Sequence, residues 1–312
     1  MFFVKKYSFE DKLIWDEFVS NSKNKHFFFF RRFMEYHSER FEDHSLMIYD
    51  EAKVLVALLP ANISENEIIS HQGLTFGGFL VKSSMKQSVM LSIFEATINY
   101  VKNLQLSSFI YKRIPYIYHI LPSDEDLYAL FINDFKLFRR DVSSSIILAN
   151  QISYSKGRKW LVNKAKKSEL EIVDESDISE FWELLASVLD AKHGVKPVHS
   201  EKEILSLSDL FPKNIKFHSV RKDGDCLAGC VLFVTENTVH TQYLFNTEVG
   251  REIGALDYLI DRLVKEIYTD FKYFDFGISN EQQGRYLNEG LIAQKEGFGA
   301  RAVCHEFYKL DI

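Results

Sequence analysis

Little in this chain interrupts regular structure: 5 prolines and 14 glycines stand among 312 residues, so long stretches are free to form helices and strands. The three cysteines, Cys226, Cys230 and Cys304, are odd in number and make no disulfide framework. A reducing, cytoplasmic setting is the expectation. No run nears the roughly 18 apolar residues of a membrane-spanning helix. The start, MFFVKKYSFEDKLIWDEF, carries charges every few residues where a secretory signal has an apolar core, and the chain reads as neither exported nor membrane spanning. Net positive charge is lacking too. Lys and Arg number 38 against 44 Asp and Glu, a balance of −6, so no overall field draws the protein to DNA or an anionic membrane, and any anion site is local. Also missing are the Gly-Lys-Ser or Gly-Lys-Thr of a P-loop and the dinucleotide-binding glycine spacing. No His and Cys spacing suits zinc, and no metal is expected.

What the chain has in plenty is apolar and aromatic mass. Hydrophobic residues make up 46% and aromatics 14%, with 27 Phe and 15 Tyr, enough for one large core or two ordinary ones. Residues 216–221 alternate apolar and polar, Asp223-Gly224 is a strong hairpin turn, and residues 226–234 read as a buried strand. A third strand follows at 239–245. Residues 253–268 then place Ile253, Leu256, Leu259, Ile260, Leu263 and Ile267 at helical spacing. A short strand at 273–276, a helix at 286–295 and a strand at 301–309 complete the order β, β, β, α, β, α, β. The first half repeats its beginning, with strands at 46–49, 54–59 and 75–81, a helix at 85–102 and a strand at 108–112. A tandem duplication is expected, with domains at residues 1–150 and 151–312 and an α+β fold.

Near the boundary, KGRKWLVNKAKK at residues 156–167 carries six Lys or Arg and no acid. The plain reading is a solvated helix face; the sharper one is a phosphate site. The segment most suggestive of chemistry is the strand 239–245 with the following loop, which holds Gly250, Arg251, Gly254 and Ala255. Glycines at a strand-to-helix turn let backbone amides approach a diphosphate, and a helix amino end adds partial positive charge. Glycine there also often only shapes the turn.

The segments HTQYLFN, GREIGALDYL, YFDFGIS, LNEGL and QKEGFGARAV, from His240 onward, resemble the C-terminal domain of the GNAT superfamily, in its two-domain FemAB-like branch. SHQGLTFGG at residues 70–78 and HGVKPVH at 193–199 extend the likeness toward the nucleotide-sugar N-acyltransferases of lipopolysaccharide and capsule pathways. The resemblance implies an acyl-CoA cosubstrate held by Phe245, Asn246, Gly250, Arg251, Gly254, Ala255 and Asn288. The loop departs from the usual phosphate motif, because Arg251 and Gly254 are followed by Ala255 and Leu256. Transfer to a neutral amine needs one proton taken and one given. The resemblance assigns the acid to Tyr286, on the helix after the YFDFG strand. It offers His199 as base, with Asp275 as competitor and a base-free mechanism as the third course. Acceptor contacts fall to His71, Thr75, Gly77, Gly78, His193, Pro197, His240, Gln242 and Ser279. Plainer readings stand beside several of them: packing for Tyr286, a structural or merely substrate-contacting histidine for His199, a turn-capping carboxylate for Asp275, buried structural groups for His240 and Gln242, and a β-bulge for Gly77-Gly78. The implied acceptor is a nucleotide-linked amino sugar, and a homodimer is one assembly such an enzyme would form. The rival is a Fem-type aminoacyltransferase, which carries an amino acid from aminoacyl-tRNA to a peptidoglycan precursor; the basic run would then contact RNA.

Overall fold

The structure is a computed structural model that describes residues 2–312, the side chains of Lys192 and His193 excepted. The chain forms two compact units. One gathers Met1–Asp141, Gln282–Arg285 and Cys304–Ile312, the other Val142–Glu281 and Tyr286–Val303. The partition is therefore not consecutive: the first unit takes the end of the chain, where simple duplication predicts a break at residue 150.

In the first unit, strands Phe3–Lys6, Leu46–Tyr49, Leu55–Leu59 and Leu80–Val81 form an antiparallel sheet in that order. Glu42–Asp43, Asn62–Ser64, Glu67–Ile69 and Ser108–Lys112 form further strands, the last pairing with residues 307–311. The helix Gln87–Asn103 buries Met90, Ile93, Phe94, Thr97, Ile98 and Val101, one stripe at helical spacing. Of the strand expected at 75–81, only Leu80–Val81 forms. The Gly77 amide instead donates to the Lys112 carbonyl at 2.8 Å, and the segment runs as coil.

The second unit carries the elements that matter for function. Its strands are β1, the part of Lys136–Ile147 from residue 142, then β2 (Glu171–Asp174), β3 (Ile215–Lys222), β4 (Asp225–Val234), β5 (Thr238–Asn246) and β6 (Tyr273–Ile278). They lie in the order β2-β3-β4-β5-β6-β1. All neighbours are antiparallel except β5 and β6, which run parallel. The helices are α1 (Lys156–Ala165), α2 (Ser179–His193), α3 (Glu201–Leu210), α4 (Glu248–Ile253), α5 (Ala255–Arg262) and α6 (Glu289–Gly297). Leu259, Ile260 and Leu263 pack with Val239 and Phe274 in the core of this unit. Phe245 meets Phe181 of α2 edge to face, with centroids 4.9 Å apart.

Two expected helices differ from the structure. Residues 253–268 break at Gly254, whose φ of +82° ends α4 and starts α5, and Leu263–Ile267 closes as a π turn. The helix expected from Tyr286 begins only at Glu289, because the Asn288 side chain accepts the Leu291 amide at 2.9 Å and caps it. Tyr286–Leu287 instead pairs with Asn280–Glu281 in a short hairpin.

Candidate active site

The central feature is a parting of two strands. β5 and β6 pair at Thr238 with Tyr273, Val239 with Phe274 and His240 with Asp275, and there the pairing stops. From Thr241 onward β5 is held only by β4. That side too is irregular: Val231 faces Tyr243 while Leu232 faces Thr241, so Gln242 is an extra residue. Such a bulge bends a strand and re-aims its side chains.

His240 and Asp275 stand at the apex of the opening. Asp275 is fully buried and collects three donors. The Ser143 hydroxyl lies at 2.6 Å, His240 Nδ1 at 2.7 Å and the Gly277 amide at 3.2 Å. A carboxylate at Nδ1 fixes the imidazole tautomer that leaves Nε2 able to accept a proton. Gly277 has φ +74°, and a Cβ there would lie 3.1 Å from His240 Cε1. Any larger residue would push the imidazole aside.

Lys295 of α6 adjoins this cluster. Its ammonium donates to the Gly277 and Ile278 carbonyls at 2.8 and 2.7 Å. Burial pushes it down to about 8, against the opposing pull of Asp275. The unfolded chain holds that proton to the ordinary lysine value, so unfolding takes up a proton between about pH 8 and 10.5, and stability rises with pH across that window. Relative to Lys295→Met, the wild type should gain up to roughly 3 kcal/mol between those limits. Urea unfolding of both proteins at several pH values measures it, and parallel profiles would mean that Lys295 titrates normally.

Along the free edge of β5 lies a cleft of about 360 Å3. Leu161, Val188, Leu189, Leu244, Leu256 and Leu291 make its apolar walls, and Arg158, Asn246, Arg251, Asp257 and Gln294 supply polar groups. Asn246 Oδ1 is buried without a hydrogen-bond partner, a group that a ligand amide or hydroxyl would satisfy.

The residues proposed for the diphosphate are placed as follows. The Gly250 amide donates to the Thr247 hydroxyl at 3.0 Å, the Arg251 amide to the Thr247 carbonyl and the Gly254 amide to the Gly250 carbonyl. Gly254 abuts α1, where a Cβ would meet the Leu161 carbonyl oxygen at 2.8 Å. Ala255 is buried, and Asp257, in the first turn of α5, is ion-paired with Arg158 at 2.6 Å. The amino end of α5 is thus already answered by a carboxylate of the protein itself. Phe245 is packed on α2, Arg251 donates to the Asn246 carbonyl at 3.0 Å, and Asn288 caps α6.

Of the acid and base candidates, Tyr286 lies on the hairpin and is half exposed, so the helix expected to carry it does not. His199 is buried and shares its Nδ1 with the Tyr243 hydroxyl at 2.7 Å; burial raises Tyr243 above the usual phenol range. Pro197 lines the same side of a surface cleft with Trp182, Val198 and His199. Gln242 occupies the bulge, and Ser279 is buried with no partner for its hydroxyl. The side chain of His193 lies outside the described residues.

In the first unit, a Cβ on Gly77 would strike the Ser70 carbonyl and one on Gly78 the Tyr111 hydroxyl, so both glycines serve internal packing. His71 is buried, and burial pushes it down to about 3. Thr75 is exposed. Lys112, not singled out in the sequence, donates to the His71 and Leu74 carbonyls, and burial lowers it to about 7.

Sequence reading named both His240 and Asp275 but gave them separate tasks. The available signal was their position on adjacent strands of like direction. Lys295 and Ser143 were missed, since buried lysines are rare and serines are mostly exposed. Among the described residues no group of His, Cys, Asp and Glu is arranged to hold a metal, and no helix is long and apolar enough to cross a membrane.

Residues 153–286 match a family model described as an acetyltransferase (GNAT) domain. The fold as a whole is similar to the crystal structure of FemX, with 10% identity, 99% of this chain and 97% of that one covered, and a TM-score of 0.69. The C-terminal domain of a putative lysylphosphatidylglycerol synthetase from Agrobacterium fabrum shares 14% identity over 96% and 91% of the two chains, with a TM-score of 0.61. A tandem GNAT protein from the clavulanic acid biosynthesis pathway matches at 8% identity over 100% and 98%, with a TM-score of 0.50. The chain is an α+β protein of the tandem GNAT fold. No curated protein matches its sequence.

Proposed function

We propose that this chain is an N-acyltransferase whose second unit carries the reaction, with His240 as base, and that its donor is an aminoacyl ester on RNA. The observation behind the chemistry is the His240–Asp275 pair at the apex of the parted strands. The acceptor amine attacks the ester carbonyl while His240 Nε2 takes the N–H proton. The tetrahedral oxyanion collapses, the C–O bond to the ribose breaks, and imidazolium returns the proton to the leaving oxygen. Amide and alcohol result, and the proton count balances. An ester needs this second transfer more than a thioester does, because a thiolate leaves readily near neutral pH while an alkoxide does not.

The observation that favours an ester over acyl-CoA is the amino end of α5. A diphosphate binds where helix amides are open; here Asp257, paired with Arg158, stands in that first turn, and Gly254 abuts Leu161. A diphosphate would meet a carboxylate. The fitting acceptor is an amine on a cell-wall precursor of the peptidoglycan kind.

A second reading keeps acyl-CoA as donor and a nucleotide-linked amino sugar as acceptor. What favours it is the cleft itself: apolar walls beside an open strand edge suit an acyl-pantetheine arm, with Arg158 and Arg251 at the polar end. The two readings separate in one experiment, in which the purified full chain is incubated with charged tRNA or with acyl-CoA and an amine acceptor, and deacylated RNA or free thiol is measured. RNA deacylation that depends on His240 is the expected result. Thiol release without RNA deacylation would establish the second reading.

A further inference from the structure

We propose that the outward face of α1 is a docking surface for a single-stranded RNA end, with the Trp160 indole as a stacking platform for one base. The proposal rests on the ester-donor reading for the choice of RNA, but the surface stands on its own observations.

α1 has two unlike sides. Arg158, Leu161, Val162 and Ala165 turn inward, and Val162 and Ala165 are buried. Lys156, Lys159, Trp160, Asn163 and Lys164 are exposed at helical spacing, with exposed Lys167 just beyond. Arg158 is taken up by Asp257, Lys166 pairs with Asp261 at 3.1 Å and Lys164 donates to the Glu252 carbonyl at 2.6 Å. Lys156, Lys159 and Lys167 pair with no carboxylate among the described residues. In a protein of net charge −6, this is a local cationic surface without an acid in its sequence.

Trp160 makes the surface more than a solvated helix face. Trp160 is 61% exposed, so its indole face is open to a ligand. The Lys164 ammonium stands 5.3 Å from its ring centroid. A flat aromatic ring among lysines meets both needs of an unpaired nucleotide: a face for the base and charge for its phosphates. A duplex, with its bases already stacked, would leave the ring idle. A membrane fits less well, because an interfacial helix presents an apolar face to lipid, and here the apolar side of α1 is turned into the protein. Arg158 and Leu161, on the inward side of the same helix, line the cleft beside β5.

The test uses fluorescence anisotropy of the full chain with a short labelled single-stranded RNA ending in CCA, a duplex RNA, and vesicles containing anionic lipid. Trp160→Ala should weaken single-strand binding about tenfold, since base stacking contributes about 1–3 kcal/mol, and leave the salt dependence unchanged. Trp160→Phe should retain most of the affinity. Replacing Lys156, Lys159 and Lys167 together by Ala should reduce the slope of log K against log salt by about 2, at about 0.7 per phosphate contact. Unchanged affinity in Trp160→Ala, no binding of the single strand by the wild type, or Trp160-dependent binding of vesicles instead of RNA would each overturn the proposal. Failure of the donor reading looks different: RNA binds through Trp160, yet charged tRNA is not deacylated. Conversely, transfer from charged tRNA with an unaltered KM in Trp160→Ala would keep the donor reading and remove this surface.

Discussion

Asp275→Asn should lower kcat about 10⁴-fold, the loss that follows replacement of the carboxylate behind a histidine base by an amide, with the donor KM nearly unchanged. Asp275 accepts from three groups, Ser143, His240 and the Gly277 amide. An asparagine keeps the volume but turns one oxygen into a donor. The lowest-cost response is for His240 to change tautomer, so that Nδ1 accepts from the new amide and Nε2 carries the hydrogen. Nε2 then has no lone pair for the amine proton. The pH profile provides the reading that a structural role would not move: the ascending limb imposed by a histidine base should disappear in both Asp275→Asn and His240→Gln. The double variant should be no worse than the poorer single one, since the two residues act as a unit. A folded Asp275→Asn protein with wild-type kcat would remove the pair from the mechanism. Loss of activity accompanied by a matching fall in Tm would assign Asp275 to stability alone.

Much of the second unit was legible because its signals are local. The alternation at 216–221, the Asp223-Gly224 turn and the apolar run at 226–234 give β3 and β4 (Ile215–Lys222 and Asp225–Val234). The turn residues Asp223 and Gly224 both have positive φ, as a tight hairpin requires. The periodicity holds as a burial pattern from Leu256 to Leu263, since Leu256, Leu259, Ile260 and Leu263 are all buried, but not at Ile267, which is 45% exposed. It did not reveal the break at Gly254, because a single left-handed residue shifts the helix axis without disturbing the apolar spacing. Tyr286 lies outside α6 because Asn288, a strong capping residue, starts that helix two positions later. The first unit was read less well. Its short strands Asn62–Ser64 and Glu67–Ile69 surround Glu65 and Asn66, both at positive φ, and carry too few residues for a period-2 signal.

The site was half legible for a related reason. His240 and Asp275 are 35 residues apart, and they meet only because β5 and β6 run parallel with His240 opposite Asp275. Register between non-adjacent segments is a tertiary property, set by core residues such as Val239 and Phe274, and no local pattern encodes it. Lys295 illustrates the opposite difficulty. A lysine on a helix reads as solvated, and the backbone carbonyls of Gly277 and Ile278, with the Asp275 carboxylate nearby, explain why burying it is tolerated.

Gly254→Ala should cost roughly 2–4 kcal/mol of stability in the second unit, lowering its Tm by about 10 °C. Two penalties combine. A residue with a Cβ at φ +82° carries about 1–2 kcal/mol of left-handed strain, and the new methyl lies 2.8 Å from the Leu161 carbonyl oxygen, which belongs to backbone and cannot rotate away. α1 would have to move off α5, loosening the Arg158–Asp257 pair and Leu161 at the cleft together. Activity should therefore fall with any donor, and in step with unfolding. Gly157→Ala is the control: beyond its own helix backbone and adjoining residues, nothing lies within 4 Å of its would-be Cβ, it sits in α1, and alanine there should be neutral or slightly stabilising. If Gly254 instead served a CoA diphosphate directly, Gly254→Ala would raise the acyl-CoA KM while Tm stayed within a degree or two of wild type. Calorimetry of the two glycine variants beside the wild type decides between packing and ligand binding, and a stable Gly254→Ala protein with selectively weakened CoA affinity would return the loop to the donor site and acyl-CoA to the reaction.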